Sequence, residues 1–191
     1  MSRREGLIFV ISGPSGVGKD ALIEKLVALD PNLERSVSYT TRRPRPSEKD
    51  GVDYSFVSRE EFQRLAERGE FLEHAMYDGN MYGTSARRVD ELKSAGHDVI
   101  LKIEVKGAEQ VRRRLPDATF IFLAPPSMQE LIRRTTQRQT ESAEERSARQ
   151  MIAETEMTFA PHYDHVVVND DLDRAVGEVL AIIQVVRERH T

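Results

Sequence analysis

The residues with the clearest chemical meaning lie near the start of the chain. Residues 13–19 read Gly-Pro-Ser-Gly-Val-Gly-Lys and fit the pattern G-x-x-x-x-G-K. Glycines let a loop wrap closely around phosphate with its backbone N–H groups inward, and the lysine adds a positive charge. An apolar run over 7–11 precedes this phosphate loop, and apolar residues at helical spacing follow it over 21–29. Because strand, loop and helix come in the required order, we predict a nucleotide phosphate site rather than an ordinary strand–turn–helix with a solvated lysine.

Asp20 departs from the usual form of this motif, in which Ser or Thr follows the lysine. A carboxylate beside bound phosphates repels them unless a cation lies between, so Asp20 is a candidate for holding Mg²⁺, directly or through water. The alternative is an acidic residue in the first turn of a helix, where the dipole favours negative charge. The sequence leaves both interpretations open, and a Mg²⁺ titration of Asp20→Ser would separate them.

A second group of residues suited to anions lies over 40–58. This stretch holds Arg42, Arg43 and Arg45 among prolines and a glycine, with Tyr54 further along. It is too polar to be core, and the guanidinium fork fits phosphate well. Arginines clustered on a rigid loop therefore indicate a second anion site, with a solvated run of charge as the alternative.

A third arginine-rich stretch covers 133–149, and its middle carries no apolar stripe. It includes the end of one predicted helix, over 127–138, the start of another, over 143–159, and the polar hinge between them. A polar hinge of this kind is typical of a lid that closes over a site. The alternative is a charged helical hairpin at the surface.

Composition excludes several classes of protein. The chain has 191 residues, of which 39% are hydrophobic and 31% charged, enough for one domain with a substantial core. A net charge of −4 and a pI of about 5.8 argue against broad nucleic-acid binding. The absence of cysteine excludes disulfides and is compatible with a cytoplasmic location. We find no signal peptide and no apolar run that could span a membrane, so we expect a cytoplasmic protein without a membrane partner.

Strands alternate with helices along the chain. Buried strands are predicted over 7–11, 98–105, 119–124 and 165–168, with a fifth over 36–40. The second strand ends in a polar tip with Lys102 and Glu104, which should face the ligand site. We therefore predict an α/β fold, a parallel sheet of the P-loop NTPase type flanked by helices, with a small inserted α+β lobe and a helical lid.

The chain resembles the guanylate kinases, P-loop enzymes that phosphorylate GMP at the expense of ATP. The resemblance covers nearly the full length and rests on blocks that occur in one order: ISGPSGVGKD, SVSYTTRRPRPSEKDGVDYSFVS, GEFLEHAMYDGNMYGT, ILKIEVKGA, FIFLAPPS and VVVNDDLDRA. It implies one domain over 1–191, with a core over 1–34 and 85–191, a lid over about 134–149 and a GMP-binding subdomain over 35–84. It also implies ATP and GMP as partners, with Mg²⁺ accompanying ATP, in a monomer or homodimer.

The resemblance assigns residues to the GMP site. Arg42 and Arg45 match the arginines that grip the phosphate, and Tyr54 and Tyr82 match the tyrosines that hydrogen-bond it. Glu73 matches the carboxylate that accepts hydrogen bonds from the N1–H and 2-amino groups of guanine. The remaining positions assigned to this site are Ser38, Thr84 and Glu104.

The resemblance also assigns the ATP site and the groups that assist transfer. The ATP phosphates are assigned to Gly13, Pro14, Ser15, Gly16, Val17, Gly18, Lys19 and Asp20, and the adenine side to Asn169. The residues assigned to neutralise the negative charge that develops during transfer are Lys19, Arg134, Arg138 and Arg149. The GMP phosphate is itself the nucleophile, so we expect no general base.

Three positions depart from the family pattern. Lys102 stands where the family usually has an acid, and it could face a phosphate or pair with Glu73 or Glu104. The lid has no glycines around Arg138, which implies reduced flexibility. Asp20 is shared with ribose 1,5-bisphosphate kinases, which lack the arginine–tyrosine block, so a sugar-phosphate kinase is one alternative function. A non-catalytic guanylate-kinase-like module that binds phosphorylated peptides is the other, disfavoured by the intact phosphate loop.

Overall fold

The computed structural model describes residues 4–136 and 143–190, except for the side chains of residues 135, 136, 143–146 and 149. The strands in this part of the chain are β1 (Ile8–Ser12), β2 (Leu33–Arg35), β3 (Tyr39–Thr40), β4 (Ser55–Phe56), β5 (Phe71–Tyr77), β6 (Asn80–Ser85), β7 (Asp98–Lys102), β8 (Thr119–Ala124) and β9 (His165–Val168). The helices are α1 (Lys19–Leu29), α2 (Arg59–Glu67), α3 (Ala86–Ser94), α4 (Val105–Arg114), α5 (Met128–Thr136), α6 (Ala143–Met157) and α7 (Leu172–Arg189). A short 3₁₀ turn covers Ala160–His162.

The chain divides into two compact units. The first unit consists of Met1–Ile8, Asn32–Lys102 and Lys106–Ala118. The second unit consists of Phe9–Pro31, Ile103–Val105 and Thr119–Thr191. The chain passes between the units several times, so neither is one continuous segment.

Parallel strands form the centre of the second unit. β1 pairs with β8, placing Val10 opposite Phe120, and β8 pairs with β9, placing Phe122 opposite Val166. Phe9, Phe120 and Phe122 are fully buried. Continuous apolar runs of this kind are typical of parallel strands covered on both faces. The strands predicted from these runs are confirmed, with bounds within one residue of those expected. β9 is not buried as predicted, because Val166 and Val168 are 46% and 37% exposed.

Helices α1 and α7 pack against each other in the second unit. α7 buries one stripe of apolar residues at helical spacing: Ala175, Val176, Val179, Ile183 and Val186. Its N-terminus is capped by Asp171, whose carboxylate accepts from the backbone N–H of Arg174 at 2.9 Å. No helix in the described part of the chain has the length and apolarity needed to cross a membrane.

The first unit contains β2 paired in parallel with β7, and a separate sheet in the order β4-β3-β6-β5. β5 and β6 form a hairpin in which Tyr77 lies opposite Asn80. The two loop residues, Asp78 and Gly79, have φ angles of 47° and 72°. Positive φ at both positions is the type I′ turn that suits the twist of a two-residue hairpin, and Asp-Gly favours it.

Two predicted strand bounds were wrong. The strand expected over 36–40 is Leu33–Arg35, while Tyr39–Thr40 belongs to the separate sheet. Segments of two or three residues are too short to carry a periodic signal, and their pairing partners decide where they lie. The strand expected to reach residue 105 ends at Lys102, and Val105 begins α4.

Serine side chains cap two of the helices. The side chain of Ser58 accepts from the backbone N–H of Glu61, and that of Ser127 accepts from Glu130, both at 3.1 Å. These bonds satisfy donors that the first turn of a helix would otherwise leave unpaired. They fix the starts of α2 and α5.

Candidate functional site

The phosphate loop joins β1 to α1 in the second unit. Gly13 and Gly18 have φ angles of +148° and +101°, a region that favours glycine. A Cβ atom on Gly13 would lie 2.2 Å from the carbonyl oxygen of Leu123, and one on Gly18 would lie 2.6 Å from Nδ2 of Asn169. Both positions therefore require glycine. α1 begins directly at Lys19, so the N–H groups of its first turn adjoin the loop.

Lys19 is buried and held by the loop itself. Its ammonium group donates to the carbonyl oxygens of Gly13 and, at 3.3 Å, of Pro14. Nζ also lies 3.7 Å from Oε2 of Glu104, an oxygen with no hydrogen-bond partner in the described part of the chain. A single positive charge is thus fixed within the loop, as phosphate binding requires, and a carboxylate lies close to it.

Two carboxylates adjoin this loop. Asp20 is exposed in the first turn of α1, and Glu104 lies beside Lys19 in the second unit. Among the described residues, no group of three or more His, Cys, Asp or Glu side chains could hold a metal ion. The proposed roles of Asp20 with Mg²⁺ and of Glu104 with GMP remain predictions.

Asn169 links the end of β9 to the phosphate loop. Its side chain is buried, and Nδ2 donates to the carbonyl oxygen of Val17 at 2.7 Å. The backbone carbonyl oxygen of Asn169 accepts from Nη1 of Arg134 at 3.0 Å. Asn169 therefore braces the loop backbone and is itself held by an arginine of α5. Its assignment to adenine remains a prediction.

Arg134 is oriented by a carboxylate one helical turn earlier. Its Nε donates to Oε1 of Glu130 at 2.8 Å, and Arg133 donates two further hydrogen bonds to the same carboxylate. Hydrogen bonds from Arg133 and Arg134 lower the pKa of Glu130 to about 2. Arg138 lies outside the described residues, as does the side chain of Arg149, so their predicted roles in the lid remain predictions.

The second anion site is built in the first unit around Arg42. Its Nη1 and Nη2 donate to the two carboxylate oxygens of Glu48 at 3.0 and 2.8 Å, and Nη1 also donates to the carbonyl oxygen of Arg43 at 2.8 Å. The hydrogen bond to Glu48 raises the pKa of Arg42, and the same bond lowers the pKa of Glu48. These three bonds occupy the Nη1–Nη2 end of the guanidinium and do not use its Nε edge. That edge is one of the two that can bind a planar anion with two hydrogen bonds.

Glu48 also orders the loop that carries Arg45. One carboxylate oxygen, Oε2, accepts from the backbone N–H of Arg45 at 2.7 Å. The loop is therefore closed by a single carboxylate that contacts the side chain of one predicted phosphate ligand and the backbone of the other. The side chain of Arg45 is exposed to solvent.

The two predicted tyrosines lie together in the first unit. The ring centroids of Tyr54 and Tyr82 are 6.0 Å apart, with an edge-on arrangement. The guanidinium carbon of Arg42 lies 5.4 Å from the Tyr54 centroid, within the range of a cation–π contact. A hydrogen bond to Tyr82 also contributes to the raised pKa of Arg42, after that to Glu48. Arg42, Tyr54 and Tyr82 thus form one cluster of hydrogen-bond donors.

Glu73 and Thr84 form a buried pair across the β5–β6 hairpin. They are register partners in the sheet, with 5% and 1% of their surfaces exposed. The hydroxyl of Thr84 donates to Oε1 of Glu73 at 2.7 Å. A carboxylate held in this way is a rigid acceptor, suited to a ligand that presents two adjacent N–H groups. Ser38, also buried, lies in the same unit, and its carbonyl oxygen accepts from the backbone N–H of Ser55.

Comparison with known proteins decides the family. The sequence profile of the family described as "Guanylate kinase" matches residues 5–186. The chain belongs to the guanylate kinase family. It is 47% identical over 184 residues to a guanylate kinase of Alkalilimnicola ehrlichii, covering 96% of this chain and 91% of the relative. It is 48% identical over 181 residues to a guanylate kinase of Rubrobacter xylanophilus, covering 95% of each.

A solved structure supports the same assignment. The crystal structure of guanylate kinase from Anaplasma phagocytophilum matches with a TM-score of 0.78 and 36% identity, covering 95% of this chain and 86% of that one. The predicted family, the P-loop kinase fold and the enzyme class, an ATP:GMP phosphotransferase, are therefore confirmed. These matches favour neither the sugar-phosphate kinase nor the phosphopeptide-binding module.

The structure also shows site residues that sequence reasoning missed. Glu48, to which the sequence analysis assigned no role, forms an ion pair with Arg42 at 2.8 Å. The amide of Gln110 on α4 binds both backbone groups of His74 in β5, at 2.9 and 3.3 Å. Gln110 and His74 are 36 positions apart, so no local pattern predicts this support for the strand that carries Glu73.

Proposed function

We propose that this chain transfers the γ-phosphate of ATP to GMP, giving GDP and ADP, through the residues assigned above. The observation that carries the proposal is the composition of the first unit. A buried carboxylate, Glu73, is fixed by Thr84, and an arginine–tyrosine cluster lies around Tyr54. A base-reading acid and a phosphate site in one unit suit a nucleoside monophosphate of guanine. The predicted GMP-binding subdomain over 35–84 supplies both.

Separate groups in the acceptor site would bind the phosphate and the base of GMP. Arg42 and Arg45, with the hydroxyls of Tyr54 and Tyr82, would bind and position the GMP phosphate, because charge-assisted donors discriminate a phosphate from an uncharged nucleoside. Glu73 would accept from the N1–H and 2-amino groups of guanine, a donor pair that adenine does not present. Ser38, Thr84 and Glu104 complete the assigned set.

The donor site would bind the ATP phosphates through the backbone of residues 13–20 and the ammonium group of Lys19. Asn169 keeps that backbone in place through Val17. An oxygen of the GMP phosphate forms the new bond to the γ-phosphorus while the bond to the β–γ bridging oxygen breaks, and ADP leaves. Since this oxygen is already negative, the protein contributes position and charge rather than a base.

Positive groups would neutralise the charge that spreads during transfer. Lys19 and Arg134 are fixed by the contacts described above, and Arg138 and Arg149 complete the proposed set. Removing one arginine that acts only in the transition state would slow transfer by about 10³- to 10⁵-fold. Closure of the arginine-bearing lid would exclude water, which otherwise competes with GMP for the γ-phosphate.

The residues beside the phosphate loop fit Mg²⁺ bound together with ATP. Magnesium takes oxygen ligands, mostly water and phosphate, with only one or two carboxylates from the protein. Asp20 is exposed beside the loop and Glu104 lies 3.7 Å from Lys19, so each could supply such a carboxylate. When bound, Mg²⁺ would neutralise phosphate charge.

A coupled assay for ADP release tests the proposal. ATP and Mg²⁺ with GMP should give turnover, whereas AMP, UMP and ribose 1,5-bisphosphate should not. Turnover only with ribose 1,5-bisphosphate would replace the proposal with a sugar-phosphate kinase, and ATP binding without turnover on any acceptor would favour a binding module.

Arg42→Ala tests the acceptor site directly. We expect the KM for GMP to rise about 100-fold while the KM for ATP changes less than threefold, because charged hydrogen bonds to the phosphate are lost. Arg87→Ala is the matched control, since Arg87 is 86% exposed on α3 of the same unit. Equal effects on GMP and ATP would contradict the assignment.

We also propose a cytoplasmic monomer or homodimer that has no nucleic-acid or membrane partner. A net charge of −4 and the absence of cysteine support this proposal. Light scattering after size-exclusion chromatography would give the oligomeric state, and cell fractionation would give the location.

A further inference from the structure

Lys102 makes a specific contact with one of the tyrosines of the GMP site. It is the last residue of β7 and is half-buried. Its Nζ lies 2.7 Å from the hydroxyl oxygen of Tyr54 and 4.7 Å from the centroid of the Tyr54 ring. The preceding residues of β7 are buried, so the ammonium group is presented by a rigid element.

The direction of this hydrogen bond follows from the chemistry of the two groups. An ammonium group has three N–H donors and no acceptor. Tyr54 must therefore accept from Lys102, and the hydrogen of the Tyr54 hydroxyl must point away from the ammonium group. A phosphate dianion offers only acceptors, so a tyrosine fixed in this state is prepared to donate to it.

Two further cations lie around the same ring. The guanidinium carbons of Arg35 and Arg42 are 6.0 and 5.4 Å from the Tyr54 centroid. Arg35 also donates to the carbonyl oxygen of Asp53 at 3.0 Å, which holds the backbone next to Tyr54. Three basic side chains thus contact one phenol, an arrangement suited to a doubly negative ligand.

We propose that Lys102 is a positioning residue of the GMP phosphate site, in addition to the residues assigned by family resemblance. It accepts no hydrogen bond, so it orients the Tyr54 hydroxyl to donate to the phosphate. It also places a positive charge next to that hydroxyl. This inference rests on the proposed function. It assigns a role to a lysine that the family resemblance left without one, and it makes recognition of GMP over guanosine depend on Lys102.

Calorimetric binding of GMP and of guanosine to the full chain separates this role from a structural one. Lys102→Met removes the charge and the donors but keeps a long side chain. We expect GMP binding to weaken about 10- to 100-fold and guanosine binding to change less than twofold. Lys102→Arg should recover most of the GMP affinity. Lys106→Met is the matched control, because Lys106 is exposed four positions further on, and it should bind GMP like the unmodified chain.

A second comparison tests the action through Tyr54. In a Tyr54→Phe background, Lys102→Met should weaken GMP binding by a smaller factor than in the unmodified chain, since the hydroxyl it orients is gone. The same factor in both backgrounds would overturn the coupling. Unchanged GMP binding by Lys102→Met, or equal losses for GMP and guanosine, would overturn the whole inference. Failure of the unmodified chain to bind GMP would instead overturn the proposed function.

Discussion

Glu48→Gln is the most informative substitution outside the residues that would touch substrate. The carboxylate of Glu48 holds the Arg42 guanidinium through two hydrogen bonds and the Arg45 backbone through a third. Glutamine has nearly the same size, but it carries no charge and replaces one acceptor oxygen with a donor. The substitution therefore weakens the orientation of Arg42 while leaving the loop sequence otherwise intact.

Two opposing effects decide the magnitude. The Arg42 and Glu48 side chains are 17% and 13% exposed, between a surface pair and a buried one, so loss of the pair should cost about 1–2 kcal/mol of orientation and stability. Removing the carboxylate also removes its repulsion of an incoming phosphate, worth about 0.6 kcal/mol for a dianion roughly 7 Å away in water once salt at about 0.1 M has screened it by half. The loss is larger, so GMP binding should weaken by about 1 kcal/mol, or about fivefold.

Calorimetric titration with GMP measures this change, and the KM for ATP at saturating GMP should remain within twofold. Glu67→Gln is the matched control, because it makes the same chemical change at an exposed position of α2 in the same unit. Tighter GMP binding by Glu48→Gln would show that repulsion dominates and would refute the view that Glu48 positions Arg42. Unchanged binding would show that Arg42 needs no such support.

Further predictions concern pH, base recognition and the phosphate loop. The pKa of Glu48 is lowered from 4.5 in the folded protein, so its contribution to stability is complete above that value and is lost as the pH falls through the lowered pKa. The free energies of unfolding of the unmodified chain and of Glu48→Gln, measured with urea, should thus differ at pH 7 and converge towards pH 3. A difference in unfolding free energy that does not change with pH would contradict this. Thr84→Val should lower kcat/KM for GMP about tenfold and narrow the preference for GMP over AMP, because Glu73 loses a buried hydrogen bond. Steady-state assays with both acceptors check this, and an unaltered preference would count against the pair. Asn169→Ala should weaken ATP and inorganic tripolyphosphate binding alike, about fivefold, because the brace on Val17 acts on the loop; a loss confined to ATP would favour an adenine contact.

Local rules explain what was predictable. The phosphate loop could be predicted from seven consecutive residues. Its backbone has φ angles of +148° and +101° at two positions, and glycine is the residue that adopts such angles readily. The caps at Ser58 and Ser127 involve partners three positions away. The apolar runs of β1 and β8 are typical of covered parallel strands, and every residue of both is buried. The short β2 was misplaced because three residues carry no period and pairing with β7 decides their position.

The arrangement of the polar side chains could not be predicted in the same way. The sequence contains 28 Lys and Arg residues and 32 Asp and Glu residues, so charge alone allows far too many pairs. Lys102 contacts Tyr54 from 48 positions away, and Asn169 contacts Val17 from 152 positions away. Such contacts depend on strand register and helix packing, which leave no trace in a local pattern.

The amino-acid sequence by itself therefore determined the phosphate loop, the alternation of strands and helices, and the family. These properties depend on backbone conformation and on apolar periodicity, both of which act over a few neighbouring residues. Only the tertiary structure decided that Glu48 holds Arg42, that Lys102 donates to Tyr54 and that Asn169 braces the loop. The geometry of a hydrogen bond is fixed within tenths of an ångström, and only the packed chain brings distant side chains into that range.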